Sequence, residues 1–194
     1  MGDDFMKSAL DRAMERADGI EIPEEKLREM KHRPEGERVA AEFIKEAQYD
    51  LKAVLESLDA EARPYVVKIV ESILLQNVVL PKKESDTAGN EKAFEGLSTL
   101  KKGKDAVKQA QEQLGNLSNY YTQARKQHYD QLKAQVEQMM AQAVQQQTGS
   151  SAAANINVEQ TPEFQENWRQ ISGKLDADYD QALAQLKEQI VAIQ

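Results

Sequence analysis

With 194 residues, no cysteine and a formal net charge of −8, the chain excludes disulfides, thiolate nucleophiles and cysteine-ligated zinc or iron–sulfur sites, and it lacks the basic footprint of a nucleic-acid binder. Charged residues make up 30% and apolar residues 40%, the balance of a folded or coiled-coil chain, and long stretches of Gln, Glu, Ala, Lys and Leu favour helix. No run of about 18 uncharged apolar residues occurs, and the acidic start Met1-Gly2-Asp3-Asp4-Phe5 has no apolar run behind it. Neither a membrane span nor a secretory signal is therefore expected, and the expected location is cytoplasmic.

Residues 3–18 predict a first helix, because Phe5, Ala9, Leu10, Ala13, Met14 and Ala17 recur at helical spacing and Gly19 follows as a C′ glycine. Pro23 suits the first position of a short helix over 24–31, which His32-Arg33-Pro34 should end, since the residue before proline avoids the α region. Val39, Ala40, Phe43, Ile44, Ala47, Leu51, Val54, Leu55 and Leu58 form one apolar stripe over about five turns. Asp59 reads as an N-cap for the next helix, with Pro64 in its first turn as the other possible marker. Residues 65–80 are the most apolar part of the chain and predict a helix buried on most sides, ended by Pro81. Its Val66, Ile69, Val70, Ile73 and Leu74 are either the core of an N-terminal domain or, if too few helices cover them, an interaction surface.

Residues 81–92 have the composition of a linker. After it, 91–147 predict one long helix, with Gly103 and Gly115 as its two possible breaks. Val107, Ala110, Leu114, Leu117, Tyr121, Ala124 and His128 step by 3 and 4 as a heptad seam that keeps its phase across Gly115, and an eleven-residue interval then leads to Met139. A Gln-, Ser- and Ala-rich turnaround follows. Thr161-Pro162-Glu163 is a helix start with a hydroxyl N-cap and proline at N1. The last helix carries Phe164, Trp168, Ile171, Leu175, Tyr179, Leu183, Leu186, Ile190 and Ile193 on one face. The expected organisation is all-α: a compact helical domain over 1–80, a linker over 81–92, and a long antiparallel, coiled-coil-like hairpin over 93–194 with a loop near 148–160.

Motifs for chemistry fail at named residues. Glu29-x-x-His32 has the spacing of a di-iron ligand pair but stands alone, and it reads as an exposed loop histidine. Asp176-x-Asp178-x-Asp180 begins like a calcium loop, but Gln181 and Lys187 replace the required Gly and Glu, so it reads as a solvated helix face. The segment from Gly96 to Asp105 lacks phosphate-loop spacing, and Asp105 stands where a hydroxyl is required. His128, beside Tyr129 and Asp130, has no accompanying nucleophile and reads as a polar seam residue. Trp168 reads as packing between the last two helices.

The expected function is accordingly that of a non-enzymatic helical interaction or scaffold protein, without metal or cofactor, self-associating as a homo-oligomer. The interaction residues are Val66, Ile69, Val70, Ile73, Leu74, Val107, Leu114, Leu117, Tyr121 and His128. The alternatives are an amphipathic binder of lipid or another hydrophobic surface, and a small-ligand binder or enzyme with its site in the N-terminal domain.

Overall fold

A computed structural model describes residues 23–148 and 157–194. The helix expected over 3–18 and the loop at 149–156 lie outside the described residues. Among those described there are six α-helices and one 3-10 turn, and no strand: α1 Glu24–Lys45, α2 Leu51–Ser57, α3 Arg63–Asn77, α4 Glu84–Leu100, α5 Lys104–Thr148, the turn Val158–Gln160, and α6 Pro162–Ala192. The all-α expectation therefore holds. The chain divides into two compact units, one ending at Ile73 and the other beginning at Leu74.

In the first unit, α1 runs through Pro34 instead of ending there. Proline removes one backbone hydrogen bond, but packing on both sides of it holds the helix. His32 stacks on Tyr65 of α3 at 5.7 Å, and Gly36, Val39, Ala40 and Phe43 are buried. His32 is thus a helix residue, half-buried, and not an exposed loop histidine. Gly36 permits a close approach: a Cβ there would lie 2.6 Å from Ile69 Cγ2.

The stripe expected over 39–58 is interrupted. α1 ends at Lys45, and Glu46 is extended. The chain then turns so that Tyr49 meets Phe43 edge to face and donates its hydroxyl to Glu42 at 3.0 Å. Asp50 accepts from the backbone N–H of Ala53 and so starts α2, a stronger role for aspartate than a helix interior. Arg63 donates to the carbonyls of Glu56 and Leu58, satisfying orphan acceptors at the end of α2. α3 starts at Arg63 with Pro64 in its first turn and ends at Asn77, four residues before Pro81. Val66, Val70 and Leu74 are fully buried, Ile69 is buried and Ile73 half-buried, so this helix supplies core.

In the second unit, residues 84–92 are not linker but the first half of α4. Asp86 makes the helix start, accepting from the backbone N–H groups of Lys82 and Lys83 at 2.8 and 2.9 Å. The long helix expected over 91–147 is broken at 101–103. There the N–H groups of Lys102 and Gly103 donate to the carbonyl of Gln194. Gly103 also lets Ile193 close in, since a Cβ would lie 2.9 Å from Ile193 Cγ2. The helix does continue across Gly115.

α5 and α6 pack antiparallel, with Tyr121 against Tyr179 and Tyr129 against both Phe164 and Trp168. The buried and half-buried side chains of α5 include a row of Ala110, Leu114, Ser118, Tyr121, Arg125, Tyr129, Leu132, Val136 and Met140, in steps of 4, 4 and 3, with Val107, Leu117 and Ala124 beside it. Those of α6 follow the same eleven-residue rhythm from Phe164 through Leu175 to Leu186. A strict heptad seam drifts by about 20° per heptad on a straight helix. From Val107 to His128 that drift carries His128 out to solvent and brings Tyr129 in. Thr161 caps α6 as its sequence predicts, accepting from Phe164 N–H at 3.3 Å, an arrangement worth about 1 kcal/mol. Among the described residues no helix is long and apolar enough to cross a membrane.

Candidate functional site

The site grows out of how the start of α4 is tied down. Val78 and Leu80 are buried, so the segment before α4 must pass close to the helix with its backbone satisfied. Asn90, only 8% exposed, does this with both ends of its amide. Its Oδ1 accepts from Val79 N–H and its Nδ2 donates to Val79 C=O, each at 2.8 Å.

Lys82 then reaches α6. Its ammonium donates to Asp176 at 2.8 Å, and the other oxygen of Asp176 accepts from the hydroxyl of Tyr121 at 2.7 Å. Arg125 donates to the Tyr121 hydroxyl at 2.9 Å and lies over the Trp168 ring at 5.4 Å. One carboxylate of α6 thereby joins the segment before α4 to α5. Burial alone would push the Asp176 carboxyl up, but the bonds from Lys82 and Tyr121 and the charges of Lys82 and Arg125 outweigh it and hold the group below its usual range. The bond to Asp176 raises Lys82, and burial followed by the same carboxylate raises Tyr121. At neutral pH the network thus holds an ammonium, a carboxylate and a neutral phenol, each in its ordinary state. None is poised as a base or nucleophile.

Because the folded pKa of Asp176 is depressed, its stabilising contribution is complete above the unfolded value of about 4 and is lost as pH falls through the folded pKa. Wild-type protein should therefore lose thermal stability more steeply below about pH 4 than Asp176→Asn, which is weaker at pH 7 but flatter in acid. Melts followed through Trp168 fluorescence decide this, and equal acid slopes would remove Asp176 from the linkage.

Beside this network lies a groove of about 560 Å³ between α4 and α5, within the range of small-molecule sites. Phe94 and Leu114, both buried, form its apolar floor, and Pro81, Lys82 and Lys83 border it where α4 begins. α4 contributes Thr87, Asn90 and Glu91 to the wall, and α5 contributes Gln111, Gly115, Ser118, Asn119 and Thr122. A Cβ at Gly115 would meet nothing within 4 Å, so this glycine faces open space.

The residues expected to carry interactions divide. Val66, Ile69, Val70, Ile73 and Leu74 pack along α3, mostly buried. Val107, Leu114 and Tyr121 are buried among the helices of their own unit, Leu117 is half-buried, and His128 is exposed. Only Leu114 borders the groove. Asp176 is not the solvated acid its sequence context suggests, although Asp178 and Asp180 are exposed. One signal for its role is its place next to Leu175, at the edge of the apolar face. Among the described residues no group of three or more His, Cys, Asp or Glu side chains could hold a metal ion.

Residues 52–192 match the model described as a family of unknown function (DUF6657), and the chain belongs to that family. No curated protein and no solved structure matches the chain.

Proposed function

We propose that this protein is a non-enzymatic helical binding protein whose recognition site is the groove between α4 and α5. The observation that carries this reading is the groove's uncommitted polar wall. Thr87, Gln111, Ser118, Asn119 and Thr122 line it, and none makes a side-chain hydrogen bond to another described residue. Thr87, Gln111, Asn119 and Thr122 are exposed and Ser118 is half-buried, so water satisfies them in the free protein, and polar groups that converge on a concave surface in this way are available to a ligand. The adjacent charged network supports a binding role, since its groups are locked to one another and hold the walls in place. The seam residues Val107 and Tyr121 are occupied within the chain, and Leu114 forms part of the groove's floor.

A photoreactive phenylalanine analogue placed at Thr87 or Thr122 in living cells tests this. Adducts of one mass are expected from both sites, lost when Gly115→Trp fills the groove, and absent from the exposed control position Gln127. Circular dichroism of the Gly115→Trp protein establishes that it remains folded. Absence of adducts from both groove positions, or adducts that persist when the groove is filled, would refute the reading.

A further inference from the structure

We infer that the occupant of the groove is an extended polypeptide segment of a partner, recognised through its main chain. This rests on the groove being the recognition site and adds what it takes. The protein already displays the chemistry once, at the groove itself. Asn90, a residue of the groove wall, accepts from the N–H of Val79 and donates to its C=O, and Val79 lies in the non-helical segment between α3 and α4. An extended backbone laid between two helices has no neighbouring strand, so side chains must satisfy its N–H and C=O groups. Primary amides do this best because each carries both functions.

Gln111 and Asn119 present two further amides along the same groove, both unused, with the hydroxyls of Ser118 and Thr122 nearby. From Gln111 to Thr122 α5 advances about 16 Å, the length of about five extended residues. The open face at Gly115 lets a main chain approach the helix surface with no side chain in the way. The apolar floor of Phe94 and Leu114 receives side chains from one face of the segment, every second residue. Lys83, exposed where α4 begins, favours an acidic residue at one end of the segment. Asp86 accepts from the N–H groups of Lys82 and Lys83, just before α4.

The test uses the full chain and a library of random linear decapeptides, with maltohexaose as a neutral polyol probe of the same groove. Enriched peptides are expected to lose about fivefold to tenfold in affinity when one contacted backbone amide is replaced by an ester, as the loss of one hydrogen bond implies. A loss at least as large is expected with the double substitution Gln111→Ala and Asn119→Ala, while Gln127→Ala changes nothing. A proline in the middle of the peptide should be tolerated at some positions. The inference is overturned if no peptide is enriched, if enriched peptides bind the double variant equally well, if any central proline abolishes binding as it would for a helix, or if maltohexaose binds in place of peptide. Groove-specific cross-links alongside any of these failures would keep the groove as a recognition site for another class of ligand. Failure of both experiments would remove the groove itself.

Discussion

Tyr121→Ala is expected to destabilise the Leu74–Gln194 unit by about 3–5 kcal/mol, the range for deleting a large buried ring. Tyr121 is 0% exposed, meets Tyr179 edge to face at 5.4 Å and gives its hydroxyl to Asp176. Alanine removes the ring contact and also leaves Asp176 short of a donor while its charge stays partly buried. Tyr121→Phe separates the two effects. It keeps the ring, loses the hydroxyl bond and should cost about 1 kcal/mol. Urea titrations followed by the single tryptophan, Trp168, read this unit directly. A Tyr121→Ala midpoint equal to that of Tyr121→Phe would show that the ring carries no packing energy and that the contact between α5 and α6 is not as described.

The second large effect is expected at Gly36. Any side chain there starts with a Cβ 2.6 Å from Ile69 Cγ2 and 2.7 Å from Ile69 Cβ, and the latter atom cannot swing away. Gly36→Ala gains about 1 kcal/mol in helix propensity but must separate two helices at their contact, at a cost of about 1–3 kcal/mol. A net loss is therefore expected even from the smallest side chain. Gly36→Leu should cost about 3 kcal/mol or more, because three further carbons must enter a space already closed. Hydrogen exchange of the amides in 24–45 and 63–73 should accelerate in the order wild type, alanine, leucine. Wild-type exchange rates in Gly36→Leu would mean that α1 and α3 do not approach at this point.

Gly36 also shows where sequence reading stops. The α1 segment was legible as helix on both sides of Pro34, yet the proline reads as a terminator because its local preference is strong. What overrides it is long-range packing, including His32 on Tyr65 and Gly36 on Ile69, and no local pattern displays that. The reverse error occurs at 46–50. There the apolar spacing continues through Ala47 and Leu51, but Tyr49 and Asp50 find better partners in a turn. Residues 84–92 read as linker from their Ser, Asp, Thr, Gly and Asn content, yet Asp86 and Asn90 use that polarity to start a helix and clamp its approach.

The clearest successes were elements specified by their own residues. Thr161 and Pro162 start α6, and the apolar face of α6 is the one buried. The seam positions of α5 are buried or half-buried from Val107 to Ala124 and exposed at His128, because heptad counting accumulates an angular error that a straight helix does not absorb. The groove was not legible. Its wall is a set of common polar residues from two helices whose relative placement is decided by the turn at Gly103 and by Asp176, more than seventy positions further on.

The eleven-residue rhythm shared by α5 and α6 has a consequence for reach. Inserting eleven residues into α5 beyond Arg125, and eleven into α6 before Trp168, lengthens the pair by about 16 Å and returns each inward side chain nearly to its former direction. Gln111, Gly115, Asn119 and Thr122 lie outside the inserted stretch and keep their places. The length of the distal pair can thus change in whole repeats without altering the lining of the groove.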